Sequence, residues 1–195
     1  MTALAMRWRF HPGRAIGLGA VALAFGAAVW AFAASGIQVN PTPSMPMGLY
    51  QSEPVSGLRV GDAVDACAPR DAVEMAVSRG YLTPGVDCPG GGVTVLKAIA
   101  AGPGSVVIVS RRGTTVNGKL WPDSAPLLHD PKGRPLHPDF GRHVLQPGEY
   151  WLMGENPLSW DSRYWGPIHR AGIRRVLRPL WVAPLPAFSH QGGNA

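Results

Sequence analysis

The chain has 195 residues, enough for one ordinary domain and a short appendage, and its 46% hydrophobic content against 15% charged indicates apolar sequence beyond a domain core. Its net charge of +6 does not make it a nucleic-acid binder. Arg7, Arg9 and Arg14 only precede an apolar run, and the cluster Arg170, Arg174, Arg175 and Arg178 lacks the interleaved exposed aromatics of a single-strand binder. Attraction to anionic membrane lipid and a solvated basic face both account for that second cluster.

From residue 15 to 36 the chain runs AIGLGAVALAFGAAVWAFAASG without a charge, close to the ~20 residues a helix needs to cross a bilayer. A removable signal peptide, with Ala33, Ala34 and Ser35 resembling a cleavage site, calls for a shorter apolar run of about 7 to 15 residues. The length therefore favours a retained anchor. Positive charge stays on the cytoplasmic side, so the expected layout is a basic cytoplasmic stretch (1–14), a transmembrane anchor (15–36) and an extracytoplasmic domain (37–195) at a bacterial inner membrane.

After the anchor, Pro41, Pro43, Pro46 and Pro54 predict extended chain and turns around Ser44. LRVGDAVDAC alternates like a strand interrupted at Gly-Asp. Cys67 and Cys88 lie in the exported part, where a disulfide closing a loop of this size contributes about 3 kcal/mol. Between them RDAVEMAVSRG has a helical pattern that stops at Gly80, and the residues after it look like loop, so 67–92 reads as an insertion tied at its base. The β-branched runs from Val93 to Trp121 predict strands, with a hairpin turn at Asn117-Gly118 and Lys97 on a strand. Prolines and glycines make 122–142 a long loop whose His129, His137 and nearby His143 lack metal-site spacing. HVLQPGEYWLMGEN predicts strand, turn, strand, and VLRPLWVAPL a last strand. The exported part is expected to be mainly β.

A serine hydroxyl needs a base to become a nucleophile, and a lysine can be that base only when neutral. An ordinary lysine is neutral about once in 2,500 at pH 7; a pKa near 8 raises this to roughly a tenth, and burial among apolar groups imposes the shift. Lys97, in VTVLKAIAA, has apolar neighbours on both sides, whereas Lys119 and Lys132 lie beside turns. By itself a strand lysine more often reaches out to water.

Three separated stretches, PTPSMPMGLY, VLKAIAAGPGSVV and GENPLSWDSRYWGPI, together resemble the S26 signal-peptidase family, and most closely its conjugative-transfer members. The resemblance implies coiled antiparallel sheets behind one N-terminal transmembrane helix, and peptide-bond hydrolysis through an acyl-enzyme with no metal or cofactor. It implies Ser44 as nucleophile and Lys97 as general base. The Ser44 N–H and the Thr42 hydroxyl become oxyanion donors, Ser159 orients the lysine amine, Asp161 and Arg163 form a supporting ion pair, and Gly154 and Asn156 shape a turn. Ala98 stands where many members carry arginine, so the pairing of Asp161 rests on Arg163 or another group. Met45, Met47, Trp160 and Trp165 are expected to offer apolar surface toward the membrane. The implied partners are membrane lipid, components of a conjugation apparatus, and a precursor substrate: a conjugative pilin precursor, matured with or without joining of its ends. Alternatives are a general type I signal peptidase acting on many preproteins and a non-catalytic anchored scaffold.

Overall fold

The computed structural model describes residues 12–184, and the chain divides into two units, Met1–Ile37 and Gln38–Ala195. In the first, helix α1 runs over Pro12–Ala34 and ends where Gly36 takes a positive φ of 72°. The side chains of 12–20, 22 and 33 lie outside the described residues, as does most of the expected basic stretch 1–14. Among the described residues no helix is long and apolar enough to cross a membrane.

The second unit is mainly β. Its strands are β1 (Ile37–Asn40), β2 (Gly48–Glu53), β3 (Ala63–Ala66), β4 (Pro84–Cys88), β5 (Val95–Ala101), β6 (Val106–Ser110), β7 (Gly113–Val116), β8 (Lys119–Leu120), β9 (Gly141–Val144), β10 (Glu149–Met153), β11 (Ile168–His169) and β12 (Ile173–Val182). A seven-stranded sheet has the order β1-β2-β12-β3-β5-β10-β11, and a four-stranded sheet the order β8-β7-β6-β9. Within the large sheet β12 pairs antiparallel with β2 and β3, β3 with β5, β5 with β10, and β10 with β11. Pro179 is tolerated in β12 because β3 pairs only as far as Leu177, so one side of the strand there needs no ladder donor.

Ala100, Ala101, Trp151 and Met153 of the large sheet pack with Val107 and Val109 of the small one. Val64, Ile99, Leu152 and Val176 form a second core, against which Trp165 packs. The Asn117-Gly118 turn has φ of 49° and 81°, the left-handed pair that a two-residue hairpin favours. Helix α2 (Arg70–Arg79) ends at Gly80 in the left-handed region, as its sequence predicts. The Cys67–Cys88 disulfide is formed and closes the stretch that carries α2 and β4. Two readings need correction. The loop expected after Gly80 contains β4, whose ends bridge to Gly92; this pairing is made across a turn and leaves no alternating pattern. Leu58 and Val60 are not in a strand, since β3 begins only after the turn at Gly61.

Candidate active site

The turn that carries Ser44 is held from two directions. Asn40, buried at the end of β1, donates through Nδ2 to the carbonyls of Thr42, Met45 and Pro46 at 3.0, 3.2 and 3.0 Å. Its Oδ1 accepts from Thr42 N–H at 3.1 Å and from the Thr42 hydroxyl at 2.8 Å. From the far side, Glu155 N–H donates to the Ser44 carbonyl at 2.9 Å and Asn156 Nδ2 to the Pro43 carbonyl at 3.1 Å. A three-proline segment that no ladder could hold is thus fixed by side-chain amides and one backbone donor. Sequence reasoning missed Asn40; an asparagine before proline signals a turn, but its carbonyl targets exist only once the chain has folded back.

Lys97 reaches this turn from β5, where the register sets it opposite Val64 of the buried core. Its Nζ lies 3.1 Å from Ser44 Oγ and 3.0 Å from the Leu96 carbonyl, and the residue is 4% exposed. Burial pulls its pKa down to about 8; the Asp161 carboxylate opposes that shift and the Arg163 guanidinium adds to it. Desolvation disfavours the ammonium form, while neighbouring charges adjust the extent.

Asp161 and Arg163 are fully buried and meet in a two-toothed ion pair, Nε to Oδ1 and Nη2 to Oδ2, each 2.8 Å. Asp161 also caps the short helix α3 (Ser162–Trp165) by accepting from Arg163 N–H, and accepts from Gly154 N–H at 3.0 Å. Arg163 Nη2 reaches the carbonyls of Ser159 (3.0 Å) and Asn156 (3.4 Å), and Nη1 that of Pro157 (3.2 Å). Burial pulls the guanidinium pKa down, but the negative charge of Asp161, followed by its hydrogen bonds, outweighs this and keeps the pKa above its usual value. The single arginine therefore satisfies Asp161 while Ala98 sits packed in the sheet opposite Ala63.

Two expected contacts differ. The Ser159 hydroxyl makes no hydrogen bond to the lysine amine: it is buried without a partner, pressed over Gly154, where an added Cβ would lie 2.1 Å from Ser159 Oγ and 3.0 Å from the Ser44 carbonyl. The hydroxyl of Thr42 donates to Asn40 Oδ1. The apolar surface is also arranged otherwise than expected. Met45 is buried and Met47, Trp160 and Trp165 are half-buried, because the Ser44 turn folds Met45 inward and both tryptophans pack on the cluster around Cys67, Val73 and Cys88. Gly154→Ala should consequently destabilise the domain by about 1–3 kcal/mol through overpacking, measured by thermal denaturation, and displace the Ser44 turn with loss of activity.

Ser44, Lys97, Asn156, Ser159 and Trp160 all line one cleft of about 620 Å³. Tyr81 and Asp130 form part of its wall, joined to each other through Tyr81 Oη and Asp130 Oδ2 at 2.5 Å. A buried amine against an alcohol in such a cleft suits nucleophilic attack on a carbonyl.

Comparison with known proteins decides the family. The sequence pattern of "Signal peptidase, peptidase S26" matches residues 13–181. The chain belongs to the S26 signal peptidase family. This is a serine peptidase family. A plasmid transfer protein TraF of Escherichia coli is 40% identical over 172 residues, 85% of this chain and 92% of that protein. A conjugal transfer protein TraF of Agrobacterium fabrum is 36% identical over 149 residues, 75% of this chain and 83% of that one. Among solved structures, a signal peptidase I from Enterococcus faecalis V583 aligns with a TM-score of 0.36 and 20% identity, over 63% of this chain and 97% of that chain. In this S26 family member the matched region takes in the Ser44 turn, the Lys97 strand and the Asp161–Arg163 box together.

Proposed function

We propose that the protein is a membrane-anchored serine endopeptidase with a Ser44/Lys97 dyad, and that it matures a precursor in conjugative transfer. The observation that carries this reading is the buried Lys97 amine 3.1 Å from Ser44 Oγ. A neutral amine has two protons and one lone pair; one proton serves the Leu96 carbonyl, which leaves the lone pair free to take the Ser44 proton. Ser44 Oγ then adds to the scissile carbonyl. Lys97 returns the proton to the leaving amine, and water drawn through the same base hydrolyses the acyl-enzyme.

Among the described residues the Ser44 N–H donates no hydrogen bond within the protein, which suits it to the developing oxyanion. Thr42 becomes a second donor if its hydroxyl rotates from Asn40. Asp161 and Arg163 support the dyad electrostatically, and Asn156 and Gly154 hold the turn.

The names of the TraF relatives point to conjugation, and a pilin precursor fits a peptidase of that apparatus. The uncharged run 15–36 behind Arg7, Arg9 and Arg14 supports an anchor in a bacterial inner membrane with the domain outside. The test is processing of a co-expressed pilin precursor, followed by mass spectrometry. Ser44→Ala and Lys97→Ala should each abolish it while the protein remains folded in the membrane; processing by either variant would overturn the dyad.

A further inference from the structure

Six charged side chains are buried in the described domain: Asp62, Asp65, Asp130, Asp161, Lys97 and Arg163. Three of the four carboxylates are met directly by an arginine: Asp62 by Arg178 at 2.7 Å, Asp130 by Arg134 at 2.5 Å and Asp161 by Arg163 at 2.8 Å. Asp65 is different. With the Gln38 amide assigned so that its nitrogen faces the carboxylate, the hydrogen-bond partners are neutral, the Gln38 amide at 2.9 Å and the Thr94 side chain. In the same orientation Gln38 stands between Asp65 and Arg175, its amide oxygen placed to accept from Arg175 Nη1. Asp65, Gln38 and Thr94 all line the cleft that contains Ser44 and Lys97.

A buried carboxylate without a direct cation is costly, and two neutral donors leave part of its acceptor capacity unused. Burial pushes the Asp65 pKa up, and Arg175 and the two hydrogen bonds only partly oppose this. A cationic group entering the cleft would supply the missing charge. Asp65 of β3 lies opposite Leu96 of β5, so its side chain leaves the sheet on the face opposite to that of Lys97; the cleft that both residues line is what joins the carboxylate to the site.

We infer that Asp65, with Gln38 and Thr94, forms a cation-accepting subsite in the cleft that selects a substrate bearing a lysine or arginine side chain. The inference rests on the peptidase reading for the word substrate, and the test therefore reads binding. Full-length Ser44→Ala protein in detergent is titrated with fluorescent N-acetylated hexapeptides of small and apolar residues, carrying lysine, norleucine or glutamate at successive positions.

At one position lysine should bind about tenfold tighter than its uncharged isostere norleucine. Asp65→Asn should erase that ratio and Asp65→Lys should turn it toward glutamate. Arg175→Ala, which leaves the carboxylate in place and removes the competing cation, should enlarge the lysine preference; this arm stands even where a substitution at Asp65 fails to fold. A structural tie between β1 and β3 would change stability without changing the lysine-to-norleucine ratio. Absence of any lysine-preferring position, or a preference that survives Asp65→Asn, overturns the inference. Preferential binding of lysine peptides that the wild type never cleaves would instead count against the peptidase reading alone.

Discussion

Lys97→Met is expected to abolish peptidase activity and, in the same protein, to raise stability at neutral pH by about 1–3 kcal/mol, because an apolar side chain replaces a charge that is costly to bury. Burial holds the amine at about 8 against 10.5 for an ordinary lysine. Between those two values the unfolded chain carries the proton and the folded chain does not, so stability rises with pH through that window. Below about 8 both states are protonated and the full penalty, roughly 3 kcal/mol for such a displacement, is present. Loss of the two Nζ hydrogen bonds offsets part of the gain from methionine. Urea denaturation of the two proteins at pH 7 and pH 10 separates the effects: the advantage of Lys97→Met should be large at the lower pH and shrink at the higher. An equal difference at both values would mean that the lysine is not held against its preference. Wild-type turnover should show the complementary dependence, since only neutral Lys97 accepts the Ser44 proton. The rate should climb almost tenfold per pH unit well below 8 and level off above it.

The lysine strand was legible because local preference and tertiary role agree there. VTVLKAIAA is apolar and β-rich, and β5 is buried between β3 and β10. The same agreement made Asn117-Gly118 and Gly80 readable, since each needs a backbone conformation that few residues adopt. What escaped detection depends on partners distant in sequence. β4 closes on Gly92 through single bridges, and glycine and proline conceal such pairing. Asn40 reads as a turn residue, yet it anchors the nucleophile segment through three carbonyls. Met45 was placed on the surface by chemistry alone, whereas the turn buries it. Ser159 came to the right cleft, but packing on Gly154 sets which way its hydroxyl points, and no one-dimensional pattern encodes that contact.

Asp161→Asn and Arg163→Met should each cost about 3–5 kcal/mol, since each leaves a buried charge without its counterion. Their effects on the pH profile should nevertheless be opposite. Asp161 holds the Lys97 pKa up and Arg163 holds it down, with the carboxylate the stronger of the two. Asp161→Asn should thus move the midpoint of the rate profile to lower pH, and Arg163→Met should move it to higher pH. Asparagine also remains a competent helix cap, so the first variant preserves the start of α3 while removing the charge. The double variant should be less destabilised than the sum of the singles, because no unpaired charge remains, and a double-mutant cycle measures that coupling. A midpoint that moves the same way in both singles would mean that the pair acts on Ser44 and Lys97 only by holding the 154–163 segment in place. Opposite movement would mean that the ion pair also sets the fraction of lysine able to act as base, so that its geometry and its field act on the same amine.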